Sequence, residues 1–134
     1  MFKRLALPAL IAAALAAPVQ AQSKPPLSQV PQIDDALMAI AIADDIRKRC
    51  DGIGARMVRA YITINGLKSK AQSMGYTDDE IEDYVTSKEE KARMKRKALA
   101  WLASQGVDGA DTAQLCRFGE RQIDRNSAIG RLLH

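Results

Sequence analysis

"IGARMVRAYITINGLKSKAQSM" (residues 53–74) decides how the rest of the chain is read. Ile53, Met57, Ala60, Ile64, Leu67, Ala71 and Met74 recur in it at alternating steps of four and three, which lines them along one side of a helix. Such a seam is expected to pack against another helix. Its small alanines favour a bundle within one chain over a free-standing coiled coil, and Gly66 weakens the middle by about 1 kcal/mol relative to alanine. Gly75 closes the helix as a left-handed cap.

On the N-terminal side the sequence predicts a helix from about Gln32 to Asp51, begun by Pro31, whose missing N–H is harmless there, and stopped by Gly52. Ile33, Leu37, Ile40 and Ile46 supply its buried face. On the C-terminal side "YTDDEI" (76–81) starts a short helix that runs to about Val85. Thr77 and Glu80 form a capping box there, with Tyr76 and Ile81 placed as a hydrophobic staple. Asp78 and Asp79 suit a helix N-terminus, so the acidic cluster needs no metal to explain it. A second box, Ser87 with Glu90, opens a helix to about Gln105, and Asp111 caps a last one to about Arg125. No credible strand, repeat or low-complexity tract occurs. The expected fold is all-α, a small bundle of about five helices stapled by one disulfide.

The staple follows from location. Lys3 and Arg4, the thirteen-residue run "LALPALIAAALAA" (5–17) and the close "VQA" (19–21) have the layout of a secretory signal peptide, with cleavage expected after Ala21. The run is short for a membrane span, which needs about 20 residues. Residues 1–21 are thus read as signal, 22–31 ("QSKPPLSQVP") as a flexible Pro-rich leader, and 32–134 as the helical domain, with no transmembrane segment in the mature chain. The expected destination is the periplasm, where paired cysteines normally oxidise. Cys50 and Cys116 allow a single pairing and lack a C-x-x-C arrangement. Cys50 falls near a helix C-terminus, where the dipole disfavours a thiolate against the pull of Arg47, Lys48 and Arg49, which also argues against a reactive thiol.

Composition and motifs exclude several chemistries. Without Lys3 and Arg4 the 20 basic residues fall to 18 against 16 acidic ones, a net charge of +2, so nucleic acid is not an expected partner. The one histidine, His134, ends the chain, which removes histidine catalysis and histidine-rich metal sites. The carboxylate pairs Asp34/Asp35, Asp44/Asp45 and Asp78/Asp79 are adjacent on helices and diverge by about 100°, a poor geometry for an acid/base couple. No phosphate loop, EF-hand spacing or nucleophile elbow is present. No catalytic residue, cofactor or metal is expected. "KEEKARMKRK" (88–97) places Lys88, Lys91 and Lys95 on one helical face, with Glu89 and Arg93 able to pair. Those lysines, together with Leu132 and Leu133 of the tail, form the candidate partner surface, although a solvated face is the commoner use of such a charge run and the two leucines can instead tuck under the bundle. Trp101, Met57, Met74 and Met94 read as core.

The signal, the helix end "IRKRC" (46–50), "ARMVRAY" (55–61), "MGYTDDEI" (74–81) and the tail "LCRFGERQIDRNSAIGRLL" (115–133) together resemble a family of small exported alphaproteobacterial proteins known only as a domain of unknown function. The resemblance carries no signature of an activity; what it implies beyond the fold is a role as accessory protein of a respiratory membrane complex. The residues themselves support a non-enzymatic periplasmic protein that binds another protein or an anionic envelope surface. A small envelope-stress chaperone is the alternative, by likeness of form alone.

Overall fold

Among the described residues Pro31 opens the first of five helices that follow one another: α1 (Pro31–Arg49), α2 (Met57–Ser73), α3 (Asp78–Thr86), α4 (Lys88–Ser104) and α5 (Thr112–Arg125). The computed structural model describes residues 24–134 and, ahead of them, Ala16. The signal-peptide reading of 1–21 otherwise lies outside the described residues. α1 is the central element, with α2, α4 and α5 packed on it. Ile46 of α1 and Leu115 of α5 are wholly buried at its heart, and Trp101 of α4 meets Phe118 of α5 edge to face at 5.9 Å. Cys50, just past the end of α1, is bridged to Cys116 of α5 with a Cα separation of 5.6 Å.

The helix starts follow their local chemistry. Thr77 Oγ1 accepts from Glu80 N at 3.2 Å, while Glu80 Oε2 accepts from Thr77 N at 2.7 Å, the complete capping box. Tyr76 and Ile81 lie in one apolar cluster with Leu27, Ile33 and Ala71. Thr77→Ala removes one half of this reciprocal pair and is expected to cost about 1 kcal/mol. Thermal melts of the two proteins check it, and an unchanged Tm would mean the cap contributes nothing. The Ser87 box is only half made: Ser87 Oγ accepts from Glu90 N, but the Glu90 carboxylate turns to Arg93 Nε at 2.8 Å. Asp111 caps α5 by accepting from Gln114 N at 3.1 Å.

Several expectations are corrected. Helix α2 starts at Met57 and not at Ile53, because residues 54–56 are drawn into an antiparallel pairing with the C-terminus. Gly54 and His134 exchange both backbone hydrogen bonds at 2.9 Å, and Arg56 N donates to Leu132 O at 2.8 Å. A Cβ on Gly54 would stand 2.7 Å from the His134 ring, so a side chain there would have to push that ring aside. The seam of α2 is covered only in part: Ala71 is in the core and Ala60, Leu67 and Met74 are partly covered, whereas Met57 and Ile64 are exposed. On α1 the buried stripe runs through Asp34, Met38, Ile42 and Ile46, four residues apart, while Leu37 and Ile40 are only partly covered.

The leader is not free from Lys24 on. Leu27 is buried, Leu27–Gln29 forms a 3-10 turn, and Tyr76 Oη donates to Pro25 O at 2.5 Å. Leu132 and Leu133 are removed from the candidate partner surface. They are 5% and 1% exposed, held in the core with Ile129 by a 3-10 turn (Gly130–Leu132) and by the pairing to residues 54–56.

Candidate functional site

The described residues hold two features with the character of a binding surface, and a buried ionic cluster fixes the helices that carry one of them. The cluster is centred on Asp34, 2% exposed in the first turn of α1. Tyr84 Oη of α3 donates to its Oδ1 at 2.5 Å. From α4, Arg93 donates to both oxygens at 2.5 and 3.1 Å, and Lys97 Nζ donates to Oδ2 at 2.5 Å. Lys97 also reaches Asp35 Oδ1 at 2.5 Å.

Burial alone would raise the Asp34 carboxyl, but the hydrogen bonds from Arg93, Lys97 and Tyr84 outweigh it and hold the group below its ordinary value. Burial and the neighbouring carboxylate push the Tyr84 phenol upward. An ionised carboxylate engaged on every side has no proton to give and no room for a substrate. The arrangement is a clamp joining α1, α3 and α4.

Asp34→Ala is expected to cost about 3 kcal/mol, at the lower end for a broken buried ion pair because Arg93 and Lys97 retain some solvent. A depressed carboxyl contributes stability that is present above its unfolded value and lost as pH falls through the folded one. The wild type is therefore expected to lose this contribution below about pH 4, and Asp34→Ala to show a flatter acid limb. Urea midpoints between pH 2 and 7 measure both; parallel acid limbs would contradict the assignment.

The first surface feature is a groove of about 690 Å³ between α1, the end of α3 and α4. Its floor is apolar, with Ile42, Met94 and Leu102 buried beneath it and Val85 and Leu99 exposed at its edge. A smaller cavity of about 170 Å³ between α1, α2 and α3 adjoins it, and the two share Leu37, Tyr84 and Val85. The acids at the large groove are satisfied within the chain: Asp45 pairs with Arg49 at 2.9 Å, and Glu90 pairs with Arg93. Lys91 and Lys95 line the same groove, are exposed, and have no acidic partner among the described residues. Lys88 is exposed on the same helix but does not line the groove.

The second feature is the N-terminal half of α2. Met57, Val58, Tyr61 and Ile62 are 65%, 76%, 69% and 65% exposed, and Ile64 beside them is also exposed. At 100° per residue these five side chains cover about 160° of the helix circumference. They form a patch on the order of 500 Å², the size of the largest apolar patch on a typical monomer, which is often functional. From Gly52 to Tyr76 the chain carries Arg56, Arg59, Lys68 and Lys70 and no acid. Arg59 and Lys70 have no acidic partner among the described residues, and Lys68 only approaches Asp78 at 4.0 Å. Sequence reasoning missed this surface because the seam took Met57 and Ile64 for core and left Val58, Tyr61 and Ile62 beside it unassigned. The signal that marks it is the acid-free run of charges beside those side chains.

Among the described residues no group of His, Cys, Asp and Glu could hold a metal ion, and no helix is long and apolar enough to cross a membrane. The two cysteines are joined to each other, and neither lies in the groove. No curated protein and no solved structure matches the chain. The model of one family, a family of unknown function (DUF5333), matches residues 25–134, which spans all five helices, the bridge and the buried tail. The chain belongs to that family, DUF5333.

Proposed function

We propose that the chain is exported to the periplasm and acts there without catalysis, binding an anionic membrane surface through the first half of α2. The observation that carries this reading is the exposed apolar arc from Met57 to Ile64 within a stretch that has four cations and no acid. Helices that lie in a bilayer interface combine an apolar face with flanking Arg and Lys in this way. Each cation near an anionic leaflet contributes about 1 kcal/mol, and the apolar side chains add the gain of leaving water. The lysines of α4 are not needed for this contact.

Co-sedimentation with phosphatidylglycerol and phosphatidylcholine vesicles tests the reading. Binding is expected to the anionic vesicles, to weaken as salt shortens the screening length below about 8 Å, and to fall at least tenfold in Tyr61→Ser/Ile62→Ser. Because both side chains are exposed, the double variant should keep the wild-type Tm. Equal binding by variant and wild type would overturn the assignment to α2. The chaperone reading shares the exposed apolar face. It is favoured instead if the protein suppresses aggregation of acid-unfolded clients and ignores vesicles.

A further inference from the structure

The groove between α1, α3 and α4 is separate from the α2 face and has its own chemistry. Its volume of about 690 Å³ lies in the middle of the range for small-molecule sites, about 300–1,000 Å³, and such sites are mostly apolar with a few placed polar groups. This groove fits that description: an apolar floor of Ile42, Met94 and Leu102, and charged groups confined to its rim. All but two of those charged groups are committed. Arg49 binds Asp45 and donates to Gly109 O at 2.8 Å and to Ala110 O at 3.1 Å, and Arg93 binds Asp34 and Glu90.

Lys91 and Lys95 remain. They lie one helical turn apart on α4, about 5–6 Å between Cβ atoms, which lets two ammonium groups converge on one small anion. The ligand that matches an apolar trough bordered by two uncommitted cations has one long hydrocarbon tail and one negative head. The nearby carboxylates of Glu90 and Asp45 disfavour a bulky, multiply charged head through like-charge repulsion.

We infer that the groove is a binding site for a free fatty acid, its chain lying over Ile42, Met94 and Leu102 and its carboxylate accepting hydrogen bonds from Lys91 and Lys95. Val85 and Leu99, exposed at the edge, are covered when the chain is seated. The site does not depend on the membrane reading, since α2 contributes nothing to this groove.

The test uses the mature, bridged chain and laurate below its micelle concentration, with dodecyltrimethylammonium as a probe of the same chain length and opposite head charge. Calorimetry is expected to give one saturable laurate site, at least tenfold tighter than for the cationic probe. Amide shifts on titration should fall on α4 and the facing turns of α1. Lys91→Gln/Lys95→Gln should abolish the preference for laurate while keeping the wild-type Tm, and Leu99→Asp should weaken laurate at least tenfold through the groove edge. Tyr61→Ser/Ile62→Ser should bind laurate as the wild type does, so failure at the groove and failure at α2 are told apart. Equal affinity for the two probes, laurate binding unchanged by the double lysine variant, or shifts confined to α2 would overturn the inference.

Discussion

Truncation after Asn126 is expected to destabilise the domain by about 6 kcal/mol, counted from the burial of Ile129, Leu132 and Leu133 at about 2 kcal/mol each. The figure is an upper estimate, because the unfolded chain already covers part of that surface. Lost with the tail are the Gly54–His134 backbone pair, the bond from Arg56 N to Leu132 O, and that from Arg56 Nε to Leu133 O at 2.9 Å. The turn before them is built tightly: a Cβ on Gly130 would overlap the backbone oxygen of Gln122, so only glycine allows the chain to pass there. Domains of this size are stable by about 5–15 kcal/mol, so the loss removes a large share of the total and the truncated protein should melt far below the wild type. Circular dichroism melts check this. A truncated chain with the wild-type Tm would show that the tail is not part of the core.

Opening the Cys50–Cys116 bridge is the next largest expected loss, about 4 kcal/mol on the chain-entropy model for a loop of 66 positions. The bridge ties the end of α1 to the middle of α5, across the stretch that contains α2, α3 and α4, so reduction frees most of the domain in the unfolded state. Cys50→Ala/Cys116→Ala is the suitable variant, since serine would bury a hydroxyl at the covered position 50. Its urea midpoint in any buffer should coincide with that of the wild type in reductant and lie well below that of the oxidised wild type. Unfolding free energies of oxidised and reduced wild type that agree within about 1 kcal/mol would contradict this account of the bridge.

The fold was legible where local chemistry decides it. Thr77 with Glu80, Asp111 before α5, Pro31 at the start of α1 and Gly75 after α2 each act within a turn of their own position, and the structure has a helix boundary at each. What escaped depends on partners distant in sequence. Residues 54–56 leave the helical pattern because His134 and Leu132 pair with them from the other end of the chain. By sequence Asp34 is one of a pair of adjacent carboxylates. Its spacing of four from Met38, Ile42 and Ile46 put it on the buried stripe, but only the arrival of Tyr84, Arg93 and Lys97 makes an ionised group tolerable there. Arg93 in turn pairs with Asp34 and Glu90 and leaves Glu89, the partner the helical spacing suggested.

The candidate surfaces divide in the same way. The exposure of Lys88, Lys91 and Lys95 followed from helical spacing. The uncommitted state of Lys91 and Lys95 rests on which acids other cations have already taken. Leu132 and Leu133 could be either an apolar patch or core from sequence alone, and only the packing of the tail decides between them.

The central claim, that the first half of α2 meets an anionic membrane surface, is tested most directly by amide relaxation of the isotope-labelled mature protein on phosphatidylglycerol bilayer discs that carry a paramagnetic lipid. The account predicts broadening confined to residues 57–65, strongest at Val58, Tyr61 and Ile62, lost on discs of phosphatidylcholine and weakened by salt. Broadening centred on α4, or none along α2 while the protein is bound, would contradict it.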